Sequence, residues 1–232
     1  TFRCNLQRSS DGNLLIPETE RKLFAQTKQK MRRAYQLGNE FFAADGLTNL
    51  TANTYNIYEA NHTLYVVSVY AQGQELSYDR YSSVKDSIAA VKSAATAISK
   101  IHNKGFLYLD IKPSNIMVFD TPPPYEIRVL DFGIASVYDN LQQSQTLLTQ
   151  QGSVRGTPSY MAPELFTGES KASREADLYA AGLVYYEMLT GEIAFNGENF
   201  MRIAYKQVNT PLEIPGFVPP GIAHVIGKMC AK

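Results

Sequence analysis

Apolar and polar positions follow two different patterns along the chain, and the change falls near Gly73. From Thr51 to Tyr70, two runs rich in Tyr, Ile, Val and Thr flank the turn-like segment Glu59 to His62, which predicts a pair of antiparallel strands. After Gly73, apolar residues recur at helical spacing, and Ser83 is placed to cap the predicted helix. The recurring residues are Val84, Ile88, Val91, Ala95, Ile98 and Ile101.

The flanking segments complete the predicted order of elements. The polar stretch around Ser10 to Asn13 is typical of a hairpin turn or an exposed loop, and Pro17 suits the first turn of a helix running to about Leu37. Further on, short apolar runs predict small strands, and segments of helical spacing predict further helices. The strands are Phe106 to Leu109, Ile116 to Phe119 and Ile127 to Leu130, and the helices are Ser173 to Leu189, Glu198 to Val208 and Pro220 to the end.

This order predicts an α+β fold with a small β-rich part, a hinge near Val69 to Gly73 and a larger helical part. We therefore expect two units, residues 1–72 and residues 73–232. With 232 residues and 44% hydrophobic content, the chain can bury a core of this size. A polar loop of about thirty residues follows Asp131, long enough that a functional role is the default expectation.

Charge and cysteine content narrow the possible partners. Lys plus Arg and Asp plus Glu each number 22, so no overall field attracts nucleic acid or an anionic membrane, and we expect neither as a partner. The two cysteines, Cys4 and Cys230, show no metal-ligand or disulfide spacing, which favours a reducing cytoplasm. No apolar stretch of about 18 residues is present to span a bilayer.

Two acidic segments carry the chemistry of phosphoryl transfer. The loop Tyr108 to Asn115 places a carboxylate, an ammonium and a carboxamide close together after a long helix. Asp110 can orient an attacking hydroxyl or accept its proton, Lys112 can neutralise charge on the transferring group, and Asn115 can offer its oxygen to a hard cation. Further along, Asp131-Phe132-Gly133 closes a predicted strand, where the carboxylate could hold Mg²⁺.

At these residues the sequence resembles the protein kinase superfamily, and the resemblance runs in order from about residue 14 to the end. Tyr108 to Asn115 is similar to the catalytic loop, and Asp131 to Gly133 to the metal-binding tripeptide. Gly156 to Glu164 resembles the segment that closes the activation loop, and Asp177 to Gly182 resembles the helix whose aspartate holds the catalytic loop's backbone. The resemblance implies a two-lobed fold that binds ATP and Mg²⁺ and phosphorylates a protein substrate.

Finer features of the resemblance point to the Ser/Thr type, and to bacterial members of the family in particular. Lys112 and Thr157 match the Ser/Thr pattern, in which the threonine hydroxyl bridges the aspartate and the lysine. By the same match, Ser68 would be the gatekeeper, with Val69, Tyr70 and Ala71 in the adenine-binding hinge and Met117 under the ring. Asn115 and Asp131 would contact both nucleotide and metal.

The sequence also departs from the family pattern. The resemblance implies that residue 1 lies downstream of the glycine-rich loop and its strand lysine, so the chain as given should bind ATP poorly. The helix position that normally carries a glutamate falls on Ala34, with Glu40 and Glu20 as alternatives in another register. Glu164 is expected to lack the arginine that pairs with it in the family, which would follow residue 232.

Tyr108 and Leu109 replace the usual His-Arg pair before the catalytic aspartate. Leu109 cannot pair with a phosphate, so a phosphorylated loop residue cannot order the activation loop through this position. We therefore expect that activity does not require phosphorylation of Thr146, Thr149 or Ser153 for such a contact.

Two alternatives to an active protein kinase follow. A pseudokinase acting as a nucleotide- or protein-binding module is favoured by Ala34 and by the Tyr108-Leu109 pair. A small-molecule phosphotransferase is disfavoured, because such enzymes lack the Gly156 to Glu164 segment.

Overall fold

The computed structural model describes residues 7–43, 50, 54–68, 70, 72–81, 83–130, 136–137, 157–167 and 172–231. The strands are β1 (Gln7–Arg8), β2 (Leu14–Leu15), β3 (Thr54–Ala60), β4 (Thr63–Ser68), β5 (Gln74–Glu75), β6 (Phe106–Leu107), β7 (Ile116–Val118), β8 (Ile127–Val129) and β9 (Ser136–Val137). The helices are α1 (Arg21–Ala43), α2 (Val84–Asn103), α3 (Pro163–Thr167), α4 (Arg174–Thr190), α5 (Phe200–Asn209) and α6 (Pro220–Met229).

The described residues of the N-terminal part include two hairpins and one long helix. β1 and β2 pair around a turn in which Gly12 has a φ of 83°, so the first polar segment is a hairpin. β3 and β4 pair antiparallel, which confirms the predicted strand pair. Their turn is Asn61-His62, with φ values of 50° and 59°, and two positive φ angles suit a two-residue hairpin turn. α1 packs against both strands and extends beyond the predicted end at Leu37.

The predicted helix after Gly73 is confirmed as α2. Its N-cap is Ser83, whose hydroxyl accepts a hydrogen bond from the Asp86 backbone N–H at 3.2 Å. Of the predicted apolar positions, Val91, Ile98 and Ile101 are buried, whereas Val84 and Ala95 are exposed. The buried face packs against α4, β6 and β8 and forms part of the main core.

The three predicted strands of this region all end before their predicted last residue, the second and third by one residue and the first by two. β6 ends at Leu107 and not at Leu109, because Leu109 has a φ of 63°, in the left-handed region that a β-strand excludes. β6 pairs antiparallel with β9, while β7 and β8 form a hairpin to which β5 adds a third strand. The segment around Asp110 therefore leaves the sheet immediately after β6.

Helix α4 is the centre of the helical part. Most of its residues are buried, including Leu183 and Met188, and it contacts both α2 and α6. At Gly182 a Cβ atom would lie 2.6 Å from Cys230 Sγ, so glycine allows the close approach of α6. The fold has N-terminal strands and a mainly helical C-terminal part, as predicted. The division between residues 72 and 73 stays a prediction.

Several predicted functional positions lie outside the described part of the chain. They are the side chains of Ala34 and Glu40, and residues Val69, Ala71, Asp131, Thr146, Thr149 and Ser153. Across the segments that are described, no helix has both the length and the apolar character needed to cross a membrane.

Candidate active site

The segment that follows β6 brings two polar side chains into the interior. After the left-handed turn at Leu109, the chain passes through Asp110 and Ile111 to a 3-10 helix at Pro113–Asn115. Asp110 is 6% exposed and Asn115 is 7% exposed. Buried polar side chains need hydrogen-bond partners to offset the loss of water, so the contacts of these two residues define the geometry of the site.

The Asp110 carboxylate lies beside a lysine and a threonine. Lys112 Nζ is 2.9 Å from Asp110 Oδ2 and donates a hydrogen bond to Thr157 Oγ1 at 2.9 Å. Thr157 Oγ1 in turn donates to Asp110 Oδ1 at 2.9 Å. The threonine hydroxyl thus bridges the lysine and the aspartate, as the resemblance implies. Both carboxylate oxygens are held in place, and a cation stands directly beside them.

The amide of Asn115 is fixed in one orientation. Its Nδ2 donates to the Asp110 backbone carbonyl at 2.9 Å and to Asp110 Oδ2 at 2.8 Å. Because the nitrogen is committed to Asp110, the other end of the amide presents an oxygen, the atom that a hard cation would bind. The Leu130 N–H donates to the Asn115 carbonyl at 2.8 Å. Asn115 is thereby connected to the residue that precedes Asp131.

A second buried aspartate holds the backbone leading to Asp110. Asp177, on α4, is 1% exposed and accepts hydrogen bonds from the N–H groups of Tyr108 and Leu109, each at 2.8 Å. Its Oδ2 also lies 2.8 Å from His102 Nε2. The left-handed backbone at Leu109 costs conformational energy, and the carboxylate offsets that cost by binding the two adjacent amides. Asp177 therefore has the structural role that the sequence predicts.

Tyr108 has a contact that sequence reasoning missed. Its ring is fully buried, and its hydroxyl donates a hydrogen bond to the Leu130 carbonyl. The tyrosine that replaces the usual histidine thus joins the Asp110 segment to the end of β8. His102 was also missed as the partner of Asp177, since 75 positions separate the two residues and no local pattern relates them.

Side chains of α4 and α5 form hydrogen bonds with the segment that contains Thr157. The Tyr160 hydroxyl donates to Glu187 Oε2 at 2.6 Å, and Gln207 Nε2 donates to the Ser159 carbonyl at 2.9 Å. Burial raises the pKa of Glu187, and the hydrogen bond from Tyr160 opposes this shift in part. Burial likewise raises the pKa of Tyr160. Sequence reasoning did not identify either support.

The structure brings together four of the sequence-predicted site residues: Asp110, Lys112, Asn115 and Thr157. Ser68 is exposed at the end of β4, and Met117 is partly buried in β7, paired with Glu75 and Arg128. The roles of these two in binding adenine stay predictions, as do those of Val69, Ala71 and Asp131. Within the described ranges Glu164 forms no ion pair.

Comparison with known proteins matches this chain to one family. The family model for the protein kinase domain matches residues 22–225. A probable serine/threonine-protein kinase PknB of Bifidobacterium longum is 34% identical over 196 residues, covering 78% of this chain and 27% of the relative. Serine/threonine-protein kinase PrkC of Bacillus subtilis is 32% identical over 190 residues, covering 77% of this chain and 27% of the relative.

A third relative, serine/threonine-protein kinase PknB of Mycobacterium tuberculosis, is 36% identical over 140 residues, covering 60% of this chain and 20% of the relative. The chain belongs to the protein kinase domain family, and it is homologous to bacterial Ser/Thr kinases. The matched part of the chain covers between 20% and 27% of the length of these relatives.

Proposed function

We propose that this chain is the phosphoryl-transfer part of an ATP-dependent protein serine/threonine kinase that uses Mg²⁺. The observation that supports this most strongly is the set of contacts around Asp110. Its carboxylate contacts Lys112, Thr157 and Asn115, and Asp177 binds the backbone that leads to it. Membership of the protein kinase domain family and homology to Ser/Thr kinases support the same reaction. The acceptor would be a serine or threonine hydroxyl of a protein.

Each side chain has a role that its contacts allow. Asp110 would orient the acceptor hydroxyl and take up its proton, because its carboxylate is fixed and buried beside the site. Lys112 would stabilise negative charge on the transferring group, since its ammonium already lies beside Asp110. Thr157 would hold these two groups at a constant separation. Preorganised charges of this kind lower a barrier because they need little rearrangement during the reaction.

The residues present fit a Mg²⁺–nucleotide complex. Asn115 directs its amide nitrogen to Asp110 and leaves its oxygen for a cation, and Mg²⁺ prefers oxygen ligands. Asn115 and Asp131 would hold the metal, and Ser68, Val69, Ala71 and Met117 would contact the adenine. When bound, Mg²⁺–ATP would supply the γ-phosphate and neutralise the charge that develops on it.

The test is γ-phosphate transfer to protein by the full-length protein and by its Asp110→Asn variant. We expect kcat to fall by about 10²- to 10⁴-fold, because the substitution removes the group that accepts the proton. The matched control is Asp120→Asn, which neutralises a carboxylate that is 93% exposed and should leave kcat unchanged.

Equal rates in wild type and Asp110→Asn would contradict the role of Asp110. A wild-type protein that binds ATP but transfers no phosphate would favour the pseudokinase alternative. Transfer to small molecules and not to protein would favour a small-molecule phosphotransferase.

A further inference from the structure

The burial of helix α5 departs from what hydrophobicity predicts at three of its residues. Gln207 is its one buried residue and is completely inaccessible to solvent. On the same helix, Met201 is 72% exposed and Tyr205 is 61% exposed. A glutamine is seldom buried while larger apolar neighbours remain in water, so the contacts of its amide must account for its position.

The Gln207 amide is bonded at both ends. Nε2 donates to the Ser159 carbonyl at 2.9 Å and to the Pro158 carbonyl at 3.3 Å. Oε1 accepts a hydrogen bond from the Tyr179 hydroxyl, which lies on α4. Burial raises the pKa of Tyr179, so its hydroxyl remains a donor at neutral pH. These bonds offset the cost of burying the amide, and they join two helices to one short backbone segment.

That segment leads directly to the Asp110 cluster. Pro158 follows Thr157, whose hydroxyl bridges Asp110 and Lys112. Tyr179 is two positions after Asp177 on α4, and Asp177 holds the amides before Asp110. Helix α4 therefore fixes both sides of the cluster, one side directly through Asp177 and the other through Tyr179 and Gln207.

We propose that Gln207, held by Tyr179, is a positioning residue that fixes the 158–159 backbone and so places the Thr157 hydroxyl against Asp110 and Lys112. The inference rests on the proposed function and deepens it, because it assigns Gln207 to the acceptor side of the reaction. Loss of the amide should impair use of the protein acceptor and leave ATP binding unchanged, since the described contacts of Gln207 reach only residues 158, 159 and 179.

The first test does not depend on activity. Amide hydrogen exchange is measured in residues 159–162 for wild type, Gln207→Met and Tyr179→Phe, with Tyr205→Phe as the matched control on the exposed face of α5. We expect faster exchange in this segment for the first two variants only, and unchanged exchange at residues 106–108. Tyr179→Phe keeps the aromatic ring and carries the test should Gln207→Met fail to fold. Exchange equal to wild type in Tyr179→Phe would overturn the proposal.

The second test is steady-state kinetics with the full-length protein. We expect Gln207→Met to lower kcat/KM for the protein acceptor by about 3- to 10-fold, the effect of losing one or two neutral hydrogen bonds, with KM for ATP unchanged. Equal losses toward acceptor and ATP, or no loss despite faster exchange, would overturn the positioning role. If wild type transfers no phosphate, the proposed function fails, and the exchange measurement still decides whether Gln207 fixes residues 158–159.

Discussion

The hairpin β3–β4 and the Asp110 segment differ in where they place their polar side chains. In the hairpin, Tyr58, Val66 and Val67 are exposed, and Glu59 forms its ion pairs with Lys28 and Arg32 at the surface. In the Asp110 segment, the polar side chains are inside. Asp110, Asn115 and Asp177 are all buried and bonded to specific partners.

The difference indicates that buried polar contacts, and not surface ion pairs, fix the backbone geometry of this molecule. A surface ion pair gains little because water and salt screen it, so it does not fix a backbone. A buried carboxylate without partners is costly, so the chain must keep its donors in place around Asp110 and Asp177. We therefore expect acid-to-amide substitutions to have large effects at the buried aspartates of the helical part and small effects in the hairpin.

The largest effect on stability is expected for Asp177→Asn. An amide cannot accept from two backbone N–H groups and contact His102 without turning its own N–H₂ toward a donor. We expect the free energy of unfolding to fall by about 3 kcal/mol, measured by urea denaturation. The control is Asp79→Asn, at an exposed aspartate. Similar midpoints for the two variants would show that burial does not distinguish these carboxylates.

The next largest effect on stability is expected for Leu64→Ala, which tests whether a buried apolar side chain stabilises the hairpin. Leu64 is the one buried residue of β4, at 7% exposure. Its truncation should lower the free energy of unfolding by about 2 kcal/mol, the lower end for buried leucine. Leu15→Ala is the matched control, because Leu15 is 49% exposed and should lose much less. A loss at Leu15 as large as that at Leu64 would contradict the assignment.

A smaller, pH-dependent effect is expected at Glu187. Burial raises the pKa of this carboxyl above its ordinary value of 4.5, so the folded protein keeps the proton to higher pH than the unfolded chain does. Its contribution to stability is full below the unfolded pKa and is lost as pH rises through the folded pKa. Glu187→Gln does not titrate, so its stability relative to wild type should increase as the pH is raised from below 4.5 through the folded pKa of Glu187.

Thermal unfolding of Glu187→Gln and of the control Glu192→Gln, at an exposed glutamate, measures this difference across that pH range. A gap between Glu187→Gln and wild type that is constant with pH would show that Glu187 ionises normally in the fold.

The smallest effect is expected for Glu59→Gln in the hairpin. The ion pairs with Lys28 and Arg32 lower the pKa of Glu59, yet the carboxyl is solvated. We expect no measurable change in Tm at about 0.15 M salt, because such pairs are screened. A loss comparable to that of Asp177→Asn would remove the contrast between the two regions.

Local sequence patterns were sufficient to predict most secondary-structure elements and the residues at the centre of the site. Helical spacing and the Ser83 cap predict α2, and the order of motifs predicts Asp110, Lys112, Asn115 and Thr157, which the structure brings together. These features depend on residues close in sequence or on motifs with a fixed order.

The features that were missed depend on tertiary contacts. The two-residue strand β5 is too short to produce a pattern, and the left-handed backbone of Leu109 is stabilised by a contact with the distant residue Asp177. Gln207 is one polar residue in an amphipathic helix, and only its contact with residues 158–159 distinguishes it from a surface glutamine. Such contacts between distant segments leave no local trace in the sequence.

The most direct test is a crystal structure of the full-length protein with Mg²⁺ and a non-hydrolysable ATP analogue. We predict a Mg²⁺ ion about 2.0–2.1 Å from Asn115 Oδ1 and from an Asp131 carboxylate oxygen, with Asp110 facing the γ-phosphate across the same cleft. Side chains of Asp110 and Asp131 that face separate cavities, or nucleotide bound away from Asn115, would contradict the proposed phosphoryl-transfer site.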